Sequence, residues 1–196
     1  MKESAAASVH GRIARRVRDL RTAHGLSLDA LARRCGVSRS MISLIERGEA
    51  SPTAAVLERL ATGLGVPLAS LFDAPDAAAS PVARAADQPT WRDPHSGYVR
   101  RNVSPAGDSP LRIVEVSFPP RARVAYDTAE REPPMHQQVW LQAGTIEVTV
   151  GDETHRLAAG DCLAHRLDRP TSFHNPGRTT ARYVVVITAG PPAAPR

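Results

Sequence analysis

The sequence predicts two joined domains: an all-α bundle of five short helices holding a helix-turn-helix, then an antiparallel β-barrel. Three asymmetries along the 196 residues carry that prediction. Only three of the 17 prolines fall in the first 75 residues. Of the eight aromatic residues, Phe72 alone lies there. The charge splits too, with eleven Lys/Arg against seven Asp/Glu in residues 1–75 and fourteen against thirteen after them. A proline-poor segment rich in Ala and Arg reads as helical, and a proline-punctuated one with Val, Tyr and Trp reads as strands and turns.

The helices follow in order. Ile13, Val17 and Leu20 recur at i, i+4, i+7, while Arg12, Arg15, Arg16, Arg18 and Arg21 fill the other faces. That is an amphipathic helix ending near Gly25. Ser27 caps a second helix whose inward positions are Leu28, Leu31 and Ala32, stopped at Cys35-Gly36. Ser38 caps a third, Arg39 to Arg47, with Gly48 just beyond it. Ser51-Pro52-Thr53 opens a fourth, carrying Val56, Leu57, Leu60 and Leu64, and Pro67 to Phe72 gives a short fifth.

Ala32, Gly36, Ile42 and Ile45 have helix-turn-helix spacing: a small residue for close approach, a turn glycine and two branched pins. With Met41, Ile42 and Ile45 inward, helical periodicity turns Arg39, Ser40, Ser43, Leu44 and Arg47 outward, toward a major groove. The competing reading makes the arginines solvated helix faces of an interaction module.

The stretch Ala74 to Pro81 reads as linker. The expected organisation is a tail over 1–8, a DNA-binding domain over 9–73, a linker over 74–90, a barrel over 91–190 and a tail over 191–196. Strands are expected at Leu111–Phe118, Val139–Gly144, Thr145–Val150, Cys162–His165 and Ala181–Ile187, with Gly151-Asp152 as a turn. Runs of this length with regular turn signals suit an antiparallel barrel or jelly roll.

No apolar run reaches membrane-spanning length, and Met1 to Arg12 has no signal-peptide core. Two cysteines far apart make neither a disulfide framework nor a four-cysteine zinc site, so the expected compartment is the reducing cytoplasm. A net charge of +5 keeps nucleic acid among the candidate partners.

The run Gly25-Leu26-Ser27-Leu28, then Leu31-Ala32, Gly36 to Gly48 and Ser51-Pro52-Thr53, resembles the phage-repressor class of helix-turn-helix, the xenobiotic-response-element (XRE) family. The match covers residues 9–72. It implies that Arg39, Ser40, Ser43 and Leu44 meet base edges and that Ser38 and Arg47 meet phosphates. Many members carry Gln after the helix-two cap; here Leu28 stands there. Arginine pairs bidentately with guanine, so Arg39 implies a guanine in each half-site.

Trp140 to Asp152 with Leu157 to Asp161, and Gly160-Asp161, Pro170-Thr171 and Asn175 after them, resemble the two motifs of the cupin family, a jelly roll. This second resemblance spans Leu111 to Ile187. Cupin enzymes hold a metal with two His and a Glu from the first motif and one His from the second. Here the Glu position falls on Gln137, the first two His positions fall in Glu130–Pro133, which contains no His, and the last falls on Thr171. No metal, cofactor or catalytic residue is therefore expected. His136, His165 and His174 read as surface or hydrogen-bonded, Cys162 as a small buried residue, and Trp140 as outward packing or a dimer contact.

The expected protein is a DNA-binding regulator that reads a double-stranded operator as a homodimer, with a barrel that binds a small effector or only dimerises. Gln137, Val139, Leu141 and Thr171 are expected to line the effector pocket. Arg100, Arg101, Tyr126 and Arg166 are candidate partners at its mouth. The alternative is a metal-dependent cupin enzyme with an accessory helical domain.

Overall fold

The computed structural model describes residues 9–73, 80–106, 109–128 and 134–189. The expected tails 1–8 and 191–196, most of the Ala74–Pro81 linker and the segment Glu130–Pro133 lie outside them.

Four α-helices open the chain: α1 (Val9–Ala23), α2 (Leu28–Cys35), α3 (Arg39–Glu46) and α4 (Ala54–Gly63). Local chemistry accounts for their ends. Ser27, Ser38 and Thr53 are extended N-caps whose side-chain oxygens accept from Ala30 N, Met41 N and Val56 N, each satisfying a donor that the first turn leaves open. Gly36 takes φ 64° in the turn between α2 and α3, a conformation that penalises a Cβ. Ile13, Val17, Leu31, Ile42, Ile45, Leu57 and Leu60 are buried at their centre.

The expected fifth α-helix is instead a 3-10 helix, Leu68–Phe72, bonded Ser70 N to Pro67 O at 2.9 Å and Asp73 N to Ser70 O at 3.4 Å. Pro67 enters extended and only five residues follow, too few for the α-helical bond pattern to propagate. Met41, expected inward, is 37% exposed. Two pins, Ile42 and Ile45, suffice to seat α3.

A short 3-10 turn, Ala85–Asp87, leads into the strands. These are β1 (Thr90–Arg92), β2 (Val99–Asn102), β3 (Leu111–Phe118), β4 (Arg123–Tyr126), β5 (Met135–Ala143), β6 (Thr145–Val150), β7 (Glu153–Ala158), β8 (Cys162–Arg166), β9 (Thr171–His174) and β10 (Ala181–Ala189). They form a six-stranded sheet in the order β1-β2-β3-β10-β5-β8 and a four-stranded sheet in the order β4-β9-β6-β7, both antiparallel.

Among the described residues no strand pairing joins the two sheets, so the expected closed barrel is an open sandwich. Alternating sequence sets which face is apolar but not whether edges close. The chain changes sheets between β5 and β6 at Gly144, where φ is 82° and a Cβ would sit 3.0 Å from Ala181 Cα. The sandwich core includes Val116, Val139, Leu141, Ile146, Val148 and Phe173.

The helical and β parts share one continuous core. Phe72 packs on Trp91 with ring centroids 5.8 Å apart, Trp91 on Tyr98 at 5.8 Å, and Tyr98 on Phe118 at 5.9 Å. Polar bonds run beside that ladder. Asp93 Oδ1 accepts from Ala54 N at 2.9 Å, Asn102 Nδ2 donates to Ala69 O at 2.9 Å, and Arg112 Nη2 lies 3.5 Å from Asp73 Oδ2. The Asp93 bond reaches the first residue of α4, where an acidic group complements the helix dipole.

Candidate functional site

The first candidate site is the outer face of α3. Arg39 and Ser40 are exposed, Ser43 and Leu44 half-buried, and Arg47 exposed at the helix end. Arg39 Nε lies 3.5 Å from Asp29 Oδ1, an open ion pair of the kind worth about 0–1 kcal/mol, so its guanidinium is free to leave. Arg47 is held more closely, with Nη1 2.6 Å from Ser43 Oγ and Nε and Nη2 at 2.9 and 2.8 Å from the Glu49 carboxylate. That contact holds the Glu49 carboxyl below its ordinary pKa. Ser38 Oγ, already the N-cap acceptor, keeps its proton for donation and lies 3.2 Å from Ser40 Oγ. Leu28 is half-buried at the start of α2 and offers a phosphate no polar group.

Sequence reasoning missed what aims this helix. Glu46, 8% exposed, accepts from Arg21 Nε at 2.6 Å and Nη2 at 2.8 Å, while Arg18 Nη2 donates to Glu46 O at 2.7 Å. The bidentate pair fixes α3 against α1 and raises the Arg21 pKa through the hydrogen bonds to Glu46. The available signal was a Glu on the inward side of α3, matched to two arginines on α1.

The second candidate site is a cavity of about 70 Å³ inside the sandwich, several times the ~10–15 Å³ that one water requires. Gln137 on β5 and Thr171 on β9 both line it. Val139 and Leu141 share the inward parity of Gln137 but are wholly buried in the packed core and do not reach the cavity. Parity fixes the face, not the depth. Arg100 and Tyr126 also line it, whereas Arg101, one residue along β2, turns to the other face and pairs with Glu115. Arg166 is exposed beside Asp168.

Two lining residues, Glu58 of α4 and Leu68 of the 3-10 helix, come from the helical part. No periodicity within either half could have put them there. Thr128 and the tyrosines Tyr98, Tyr126 and Tyr183 complete the polar lining, and burial pushes the three phenol hydroxyls above their ordinary pKa, so they remain protonated.

The histidines do not make a metal centre. His165 Nδ1 lies 3.0 Å from Arg166 O and therefore carries the proton, leaving Nε2 to accept from Gln137 Nε2 at 3.2 Å. Burial lowers the His165 pKa, in keeping with a neutral ring. His174 Nδ1 pairs with Glu147 Oε2 at 2.9 Å, and His136 is exposed. An amide, a hydroxyl and one engaged imidazole do not fit a transition metal, and no metal-ligand cluster occurs among the described residues. Cys162, expected buried, is exposed on the edge strand β8.

Residues 17–71 match the model of a helix-turn-helix family. The chain is 28% identical over 172 residues to the HTH-type transcriptional regulator SutR of Escherichia coli (strain K12), covering 87% of this chain and 91% of that protein. A crystal structure of an HTH_3 family transcriptional regulator from Vibrio cholerae superposes with a TM-score of 0.73 at 25% identity, over 95% of this chain and 97% of the other. A weaker likeness, TM-score 0.47 at 18% identity over 92% and 100% of the two chains, is to Fe(II) HppE. No helix among the described residues is long and apolar enough to cross a membrane.

Proposed function

We propose that the chain, whose residues 17–71 match a helix-turn-helix family model, is a sequence-specific DNA-binding transcription regulator, working as a homodimer and governed by a small molecule held in the sandwich cavity. The observation that carries the reading is the α3 face. A doubly pinned and doubly capped helix presents Arg39, Ser40, Ser43 and Leu44 together, with Ser38 and Arg47 at its two ends. In this reading the four central residues meet base edges and the outer two meet phosphates.

One such helix makes few base contacts, so two copies related by a twofold axis read two half-sites. Trp140, half exposed on the outer face of the six-stranded sheet, is one of the apolar groups available to a second copy. The effector role is supported by the cavity having walls from both parts of the chain. A ligand there touches Glu58 and Leu68 directly and favours one placement of the reading head over another.

The experiment is selection of genomic fragments by the purified full chain, followed by sequencing. The expected result is one enriched motif of inverted half-sites spaced by about 10 base pairs or a multiple of that, each with a guanine. Enrichment that follows base composition alone, with no symmetric motif, contradicts the reading.

A further inference from the structure

We infer that the cavity takes a small monocarboxylate and that Arg100 is the residue that receives its carboxylate group; the inference rests on the sensing role proposed above for the same cavity. It begins with a buried charge. Arg100 is 5% exposed, and its Nε is buried with no hydrogen-bond partner. Among the described residues no carboxylate forms an ion pair with it. Its guanidinium lies over the Phe72 ring, 4.7 Å from the centroid. A cation–π contact and a hydrogen bond to the Tyr98 hydroxyl together return less than it costs to take a guanidinium out of water, so burial at this point calls for an anion.

The neighbouring groups narrow the ligand. Tyr98 Oη and Tyr126 Oη lie 3.2 Å apart on the same cavity, and Tyr183 faces it as well. All three are protonated donors, and a carboxylate can accept from the guanidinium fork and a phenol at once. Arg100 is the one cationic side chain among the described lining residues, so a second carboxylate would be stranded. Beside the polar Thr128, Gln137 and Thr171, the wall has an apolar stretch of Val114, Met135, Val185 and Ile187 suited to a short hydrocarbon body. An inorganic oxoanion would satisfy Arg100 but leave that wall against water.

The same residue sits at the joint of the molecule. Arg100 rests on Phe72, and Phe72 packs against Trp91, so a carboxylate drawing on the guanidinium acts on the aromatic ladder that docks the helical part. Trp91 is a ready reporter, because the chain has two tryptophans and Trp140→Phe leaves only this one.

The test is titration of the full chain carrying Trp140→Phe with straight-chain carboxylates from acetate to hexanoate, reading Trp91 emission and melting temperature. Butyramide is the neutral isostere and sulfate the inorganic anion. We expect a saturable change for at least one carboxylate, little for butyramide or sulfate, and a Kd raised by about 10- to 100-fold in Arg100→Gln. Butyramide binding as tightly as butyrate, saturation by sulfate alone, no saturation by any carboxylate, or unchanged affinity in Arg100→Gln each overturns the inference.

Thr171→Leu, which projects a larger side chain into the cavity, provides the second variant should Arg100→Gln fail to fold. It is expected to abolish the carboxylate response. Butyramide binding that Thr171→Leu removes would leave a sensing cavity that does not select anions. Carboxylate binding that survives Thr171→Leu would place the ligand elsewhere and remove both readings.

Discussion

Replacing Trp91 with alanine is expected to destabilise the whole chain by about 3–5 kcal/mol, the usual range for truncating a buried aromatic side chain. Trp91 is 1% exposed and touches rings on both sides, Phe72 from the helical part and Tyr98 from the sandwich. The substitution leaves a void and removes one tilted and one edge-to-face ring contact, each worth about 0.5–1.5 kcal/mol beyond area burial. Because the core is continuous from α1 to β10, the loss should lower the midpoint of one shared unfolding transition. Urea titration followed by far-ultraviolet circular dichroism and by tyrosine emission reads this directly. Two separated transitions in the unmodified chain, or a shift under about 1 kcal/mol in the variant, would show that the parts fold independently of this contact.

Asn175→Ala is the second large effect, at about 3–4 kcal/mol, because each buried polar group left without a partner costs ~1–3 kcal/mol. Asn175 is wholly buried. Its Nδ2 donates to Phe118 O at 3.0 Å, Pro119 O at 3.1 Å and Thr179 O at 2.9 Å, and its Oδ1 accepts from Gly177 N at 2.9 Å. One amide thus satisfies the loop that leads from β3 to β4 and the loop that leads from β9 to β10. Asn175→Asp keeps the acceptor but aims a charge at three carbonyls, so it should be no better than alanine at neutral pH. Melting temperatures of the two variants check this, and a near-native value for either contradicts it.

How much of this was legible depended on whether the cause was local. Ser38, Gly36 and the apolar spacing of α3 lie within ten residues of one another, and each acts on its immediate neighbours. The alternation of β5 likewise set Gln137 inward and Trp140 outward before any partner strand was known. The five strands read from sequence are the longer or more apolar ones. β2 is Val-Arg-Arg-Asn and β4 is Arg-Val-Ala-Tyr, and four residues with arginine in them carry no periodic signal.

Non-local causes were invisible. Arg18 and Arg21 look like solvated faces of α1 until Glu46 is folded against them. The conversion of the fifth helix to a 3-10 turn and the exposure of Cys162 on β8 depend on what does or does not pack beside them. The docking of Phe72 on Trp91, and with it the entry of Glu58 and Leu68 into the cavity wall, required knowing how the halves meet.

In the proposed regulator α3 reads bases with Arg39 while Arg47 only grips the backbone. Fluorescence anisotropy of the selected duplex and a scrambled one, titrated with the unmodified chain, Arg39→Ala and Arg47→Ala at several salt concentrations, tests it most directly. Arg39→Ala is expected to cost about 1–3 kcal/mol on the selected duplex, relax one base position and leave the scrambled duplex nearly unaffected. Arg47→Ala should weaken both duplexes alike and lower the salt slope by about one. Equal losses on the two duplexes for Arg39→Ala would contradict base reading by Arg39.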